Sequence, residues 1–414
     1  MNDRLFAARL TTVFRAADVR LGSRFYKKNG LQRIIYANVI GNVAGFSTAW
    51  QPSGNKYVAM RRGFCQYTLL IRLIVDTVTI KDIARALNLS TSTVSRALRD
   101  SYEINPETKR LVIEYAERLN YRPNPIALSL KENRSRVIGV IVPQIANNFF
   151  SQVINGIEAI AYSRGYYVMI FQSHESYERE VLTVQQAVDR KVDGLLITLS
   201  SSTSDVQYLQ QLLEKKLPIV LFDRVSTQLD TPCVTADNVA GAFAATEHLI
   251  QMGRRRIAHV TIPSYISIAQ ERLAGYRQAL HQYGIPFDEA LVRHAGFGQD
   301  EINPIVDELL AQSPDAFFAA SDRLAISCLA ALKQRTIRIP EQVSLIGFTN
   351  TPVADLLSPS LSTVEQPALE IGQVAAVKLI DWIEGRRLQS PAERITRIPT
   401  RLNTRNSTNV AHAE

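Results

Sequence analysis

The sequence predicts an α/β chain in which a small helical module precedes two lobes of parallel β-sheet. Three observations carry this. At 414 residues the chain is long enough for two or three domains. From Val137 onward, short apolar runs alternate with helix-like segments, and the starts of the first four lie 26–29 residues apart, near the length of one strand–helix–strand unit. Ahead of them, "TIKDIARALNLSTSTVSRALR" (79–99) holds two brief stretches of helical apolar spacing separated by a three-residue connection.

Residues 1–75 form an unassigned basic prefix with no periodicity: 12 Lys and Arg against 2 Asp and Glu. Its arginine-rich start has the look of a transit peptide, and it would also serve as a DNA-binding arm. The expectation preferred over both is that translation starts near Leu73 to Val78, with the prefix left untranslated or disordered. Residues 76–136 carry 11 basic and 8 acidic side chains, and the last 278 residues are net −5. The overall charge of +8 therefore belongs to the prefix and says nothing about nucleic acid.

In residues 76–122, Ile80, Ile83, Ala84 and Leu87 make one apolar stripe, and Leu89, Val94, Ala97 and Leu98 a second. Asn88 ends the first helix and Ser90 is placed to cap the next. Two short helices crossing at small residues have the shape of a helix-turn-helix. The outward positions of the second are then Thr91, Ser92, Ser95 and Arg96, hydroxyls and a guanidinium suited to phosphates and guanine edges. The same residues also make sense as plain caps with one solvated charge, and the spacing alone leaves both open. A third helix, Pro106 to Asn120, covers the pair. Residues 123–136, "PNPIALSLK" onward, read as a linker, since so short a helix with two prolines does not nucleate in water.

In the remainder, strands are expected at 137–143, 166–172, 192–199 and 218–224, then at 256–263, 291–296, 316–321 and 343–349. Ligands in open parallel sheets sit beyond the carboxyl ends of strands. That rule selects Asn147 to Phe150, Gln172 to Glu175, Ser200 to Thr203, Asp223, Tyr265, Phe297, Ser321, Asp322, Thr349 and Asn350. Their hydroxyls, amides, carboxylates and aromatic rings suit a small polar ligand such as a sugar.

Other classes find little support. Three well-separated cysteines make no disulfide framework, and no run of about eighteen apolar residues suggests a membrane span. There is no nucleophile elbow, phosphate loop or zinc motif, the six histidines are scattered, and no catalytic residue, metal or cofactor is expected. A sugar-binding transport receptor would share the two lobes, but it predicts a secretory signal and no helix-turn-helix.

Taken together, "VTIKDIARALNLSTSTVSRALR", "INPETKRLVIEYAERLNYRPNPIALSLKENRSRVIGVIVP", "NNFFSQVINGIEAIAYSRGY", "VDGLLI", "ERLAGYRQAL", "VSLIGFTN" and "STVEQP" resemble the lac repressor (LacI) family of transcription regulators, continuously over about residues 77–408. The resemblance implies a helix-turn-helix headpiece, a hinge helix that folds on DNA, and a core related to periplasmic sugar-binding proteins. It implies a regulator of the bacterial cytoplasm, a repressor rather than an activator, that binds palindromic operator DNA as a homodimer, with a tetramer as the alternative assembly. Thr91, Ser92 and Arg96 would then meet bases, and Ser90, Thr93 and Ser95 the DNA backbone. Asn124, Ala127 and Leu130 would supply the hinge contacts, Leu130 as an apolar wedge in the minor groove. A small effector, a sugar or sugar derivative, would be held between the lobes by Phe149, Phe150, Arg272, Phe297, Ser321, Asp322 and Thr349. Thr349 departs from the family, where many members carry an aspartate. The chain should cross between lobes so that 137–236 with 367–396 form the first and 237–366 with 397–408 the second, leaving 409–414 as a tail.

Overall fold

The computed structural model describes residues 78–99, 101–121, 134–296, 301–386 and 394–409. The prefix, the hinge positions Asn124, Ala127 and Leu130, and Phe297 lie outside the described residues. The chain divides into two compact units, residues 1–122 and 123–414.

The first unit contains three helices, α1 (Ile80–Ala86), α2 (Thr91–Ala97) and α3 (Pro106–Arg118). Local chemistry sets each boundary. Thr79 and Asp82 close a reciprocal capping box at the start of α1. Beyond its end Asn88 takes a left-handed φ of 54°, a conformation asparagine tolerates well. Ser90 Oγ accepts a hydrogen bond from Thr93 N at 3.0 Å and starts α2. Asn105 caps α3, with Pro106 as its first residue. Ile83, Ala84, Val94, Ala97, Val112 and Ala116 are buried where the helices meet. Three alanines among six buried side chains let short helices approach closely, while Ile80, Leu87, Leu89 and Leu98 close the edges of this small core.

The second unit holds two six-stranded sheets. Its elements are β1 (Val137–Val142), α4 (Asn148–Ser163), β2 (Tyr167–Gln172), α5 (Tyr177–Asp189), β3 (Gly194–Ile197), α6 (Gln207–Glu214), β4 (Ile219–Phe222), β5 (Cys233–Ala236), α7 (Asn238–Gln251), β6 (Ile257–Thr261), α8 (Ser267–Gln282), β7 (Val292–His294), α9 (Ile302–Leu310), β8 (Ala316–Ala319), α10 (Asp322–Gln334), β9 (Ser344–Thr349), β10 (Ser362–Glu365), α11 (Ala368–Ile383), β11 (Ile395–Ile398) and β12 (Arg401–Asn403). The first sheet runs β11-β5-β4-β3-β1-β2 and the second β12-β10-β9-β8-β6-β7. All pairings are parallel except β10 with β12. Helices cover both faces, which explains why β1 and β3 read as unbroken apolar runs: side chains pointing either way are buried.

The chain passes between the lobes three times, between Ala236 and Asn238, between Glu365 and Ala368, and between Ile398 and Arg401. The last passage lies just beyond the expected 396/397 changeover, because β11 stays paired with β5 through Ile398. Four strands carry no expectation from sequence: β5, β10, β11 and β12. Each mixes polar with apolar residues, so no apolar run stands out, unlike the equally short β3, β4 and β8.

Two helix crossings depend on glycine. A Cβ on Gly156 of α4 would lie 2.1 Å from the Leu369 carbonyl oxygen, and one on Gly372 of α11 would lie 2.1 Å from that of Val153. In the second lobe, a Cβ on Gly275 of α8 would lie 2.2 Å from the Val239 carbonyl of α7. In an exposed helix, Gly→Ala stabilises by roughly 0.8–1.0 kcal/mol. Gly156→Ala should have the opposite sign and destabilise by about 1–3 kcal/mol, as overpacking does, read as a lower midpoint in urea unfolding. A raised midpoint would mean that the two helices separate without cost.

Candidate DNA-reading face and effector site

In the first unit, Val94 and Ala97 fix α2 from beneath, so the other side of the helix faces outward. Thr91, Ser92 and Arg96 are exposed, and Thr93 and Ser95 are half-buried. The Ser90 hydroxyl is shared with Ser92 Oγ at 2.7 Å and Thr93 Oγ1 at 2.8 Å. That arrangement keeps a row of hydroxyls at the helix start, next to backbone N–H groups suited to a phosphate. Ser95 Oγ accepts from Arg99 Nη2 at 2.8 Å. Arg96 meets Glu103 at 3.3 Å. Exposed hydroxyls and guanidinium groups on one face of a well-anchored helix can bond both phosphates and base edges.

In the second unit, the polar residues expected at strand ends converge near the interlobe passages. Arg272, on α8, is 2% exposed. Its Nε donates to Asn238 Oδ1 at 2.9 Å, its Nη1 to the Ala320 carbonyl, and the guanidinium lies 4.0 Å from the centroid of the Phe348 ring. Among the described residues its Nη2 has no hydrogen-bond partner. Burial lowers the Arg272 pKa to about 10, against the opposing fields of Asp223, Glu271 and Asp322, so it stays charged at neutral pH.

Asp223 is 4% exposed with a left-handed φ of 58°. Desolvation raises its carboxyl above the ordinary range despite Arg224, Arg272 and the Gln366 amide, which favour the charged form. The Gln366 Oε1 accepts from Thr349 Oγ1 at 2.8 Å, while its buried Nε2 makes no well-formed hydrogen bond. Thr349 itself has a φ of 105°, and its hydroxyl orients the Gln366 amide. The lobes are stitched beside this cluster by Val225 N donating to Ser267 Oγ at 3.2 Å.

The other expected effector residues sit differently. Phe149 and Phe150 are 6% and 3% exposed and pack edge-on within the first lobe's core. Phe150 lies 5.9 Å beneath the Arg224 guanidinium, which is bridged to Glu175 at 2.7 Å. Ser321 Oγ caps α10 by accepting from Leu324 N at 3.3 Å. Asp322 Oδ1 accepts from Arg323 N at 2.7 Å, and its carboxyl is raised by desolvation. A cavity of about 630 Å³ opens between the β1–α4 loop at Gln144 and Asn147 and the α10 face at Asp322, Arg323 and Ser327. Of the described residues selected from the sequence, Asn147, Asn148 and Asp322 line it. Arg272 and Asp223 lie outside its lining, and Arg272 feels the Asp322 charge.

Asn238 carries no sequence signal of its own, and Gln366 lies in the quoted "STVEQP" without a role read for it. Each follows a short strand, β5 and β10, and the lobe passages bring Asn238 to Arg272 and Gln366 to Asp223. Among the described residues, no group of three His, Cys, Asp or Glu could hold a metal, and no helix is long and apolar enough to cross a membrane.

The raised Asp223 and Asp322 carboxyls fix the sign of a pH effect. Their protonated forms are favoured in the folded state, so stability is lost as pH rises from the ordinary carboxylate range through the raised values. Asp223→Asn should therefore raise the neutral-pH melting temperature of the ligand-free protein and flatten that decline. Melting curves from pH 4 to pH 8 that superimpose on wild type would show that the Asp223 charge is fully compensated.

Residues 79–124 match the family described as "Bacterial regulatory proteins, lacI family", and residues 246–408 match the "Periplasmic binding protein-like domain". The HTH-type transcriptional repressor CytR of Escherichia coli K12 is 33% identical over 314 residues, covering 75% of this chain and 92% of that protein. The ribose operon repressor of Halalkalibacterium halodurans is 33% identical over 332 residues, covering 80% and 97%. Among solved structures, the transcriptional regulator CelR–cellobiose complex superimposes with a TM-score of 0.60 at 29% identity, covering 80% of this chain and 99% of that one. With a helix-turn-helix headpiece, two periplasmic-binding-protein-like lobes and relatives that are regulators rather than enzymes, the chain belongs to the lac repressor family of bacterial DNA-binding transcriptional repressors.

Proposed function

We propose that this repressor binds a palindromic operator as a dimer and is switched by an uncharged polyol, a sugar or sugar derivative, held between its lobes. The observation that carries the effector reading is the unpartnered Nη2 of Arg272 beside Asp223 and Gln366. A buried donor left without an acceptor is costly. A ligand hydroxyl would accept from it, and the neighbouring hydroxyl would donate to Asp223. The CelR structure, a complex with cellobiose, supports a sugar.

The charge balance favours a neutral ligand. Arg224 faces Glu175, Arg272 faces Asp223, and Arg323 faces Asp322 and Glu301, so the arginines have no surplus charge to offer a phosphate. Phe150 has its role beneath Arg224 with Phe149 edge-on against it, and Phe297 and Thr349 join the site on the family pattern.

At the DNA, Thr91, Ser92 and Arg96 meet bases in the major groove. Ser90, Thr93 and Ser95 hold the phosphate backbone, and Asn124, Ala127 and Leu130 act at the hinge. The exposure of the first three on a helix fixed from below supports this. The lobes sit in the bacterial cytoplasm with the DNA they control.

Selection from a random palindromic DNA library, with and without a panel of neutral sugars and sugar phosphates, tests both halves. The expected result is one palindrome whose recovery shifts with a neutral sugar. A shift produced only by sugar phosphates would contradict the effector reading, and no enrichment with any compound would contradict the operator reading. Arg96→Ala should weaken operator binding by about 1–3 kcal/mol and relax base preference, measured by titration against single-base operator variants. Arg272→Ala should abolish the effector response while preserving dimerisation, followed by ligand-dependent operator release and by sedimentation. An intact response would remove Arg272 from the site.

A further inference from the structure

The loop that joins α2 to α3 places a carboxylate against the arginine proposed to read DNA. Glu103 Oε2 lies 3.3 Å from Arg96 Nη1, and both side chains are about half exposed, at 47% and 57%. The loop is pinned at both ends. Ser101 N donates to the Arg96 carbonyl at 3.1 Å, Glu103 N meets Ser101 Oγ at 3.5 Å, Ile104 packs against the headpiece core, and Asn105 caps α3. The Glu103 backbone is thus held in place relative to the last turn of α2.

Several other acids of the headpiece have local structural work. Asp82 completes the α1 capping box, Glu107 lies in the first turn of α3 where the helix dipole favours it, and Glu114 pairs with Arg110 along one helix. Among the described residues Glu103 caps no helix, and so exposed an ion pair contributes little to stability. Near DNA a carboxylate also repels the phosphates, a penalty that falls on binding to any sequence. Its position makes sense through Arg96. With Nη1 engaged, the guanidinium keeps its other edge free for the bidentate contact to guanine O6 and N7. The same negative charge opposes any base that turns an acceptor toward it and favours the amino group of cytosine.

We propose that Glu103 is a positioning residue for base recognition: it fixes the Arg96 guanidinium toward a guanine and disfavours neighbouring bases that present acceptors. This rests on the reading of Arg96 as a base contact.

The test uses the full chain and the palindrome that wild type selects from a random library, with every single-base replacement in one half-site. Arg96→Ala first identifies the position whose preference depends on Arg96. Glu103→Gln, which keeps size and hydrogen-bonding ability, should then bind all variants at least as tightly as wild type. Discrimination at or beside that position should fall about fivefold or more. Glu103→Ala should behave alike. A uniform gain in affinity with unchanged ratios would overturn the proposal and leave Glu103 a bystander charge. If Arg96→Ala changes no base preference at all, the reading of Arg96 fails and the proposal with it, an outcome separate from the first.

Discussion

A guanidinium carried almost completely out of water is the constraint around which the effector domain is arranged. Removing a charge from solvent costs several kcal/mol even after relaxation. Around Arg272 that cost is offset by an amide oxygen of Asn238, a carbonyl of Ala320, the face of Phe348 and the fields of Asp223, Glu271 and Asp322. These partners come from α7, the end of β8, β9, the turn after β4, and α8 and α10 themselves. No single strand–helix unit could supply them: all but Asp223 belong to the second lobe, and the first lobe adds the Asp223 field across the junction. One amino group remains unmatched even then.

Placing that unmatched group beside the three interlobe passages gives the domain a means of coupling. Asn238 follows the first passage and Gln366 lies within the second. A ligand that satisfies Arg272, Asp223 and Gln366 bonds to both sides of the junction and stabilises whichever lobe arrangement best presents them. On the proposed function, the free energy by which it prefers one arrangement is the whole of what it can pass on to DNA affinity, and operator binding must act back on ligand affinity by the same factor. The glycine crossings define which surfaces can move as units. With helix backbones in contact at Gly156, Gly372 and Gly275, each lobe is tightly packed within itself, and rearrangement is left to the passages.

Legibility in the sequence followed the length and regularity of each element. The headpiece was readable almost to the residue, because capping residues, a left-handed asparagine and alanine crossings are local signals: Ser90 caps α2 and Asn88 turns the chain as their types suggest. The eight longer apolar runs each contain a strand. The strands β5, β10, β11 and β12 mix polar with apolar residues and showed no apolar run, and Asn238 and Gln366 follow directly from two of them. Asn238 therefore could not be found by inspecting motifs, and Gln366, although inside "STVEQP", had no role legible there. Asp223 could be placed at a strand end, but its role depends on burial, which a sequence does not display. Phe149 and Phe150, expected at the effector from the family resemblance, are buried and pack edge-on in the first lobe.

The last described strands have a bearing on how the protein is made. β11 completes the edge of the first sheet and β12 that of the second, and Ser407 and Thr408 are fully buried behind them. Until β11 and β12 have paired, the edges on that side are β5 and β10, strands whose side chains are mostly buried in the finished fold and which could recruit strands from other chains. A chain lacking β11 and β12 would therefore leave a buried-type strand uncovered in each lobe at once.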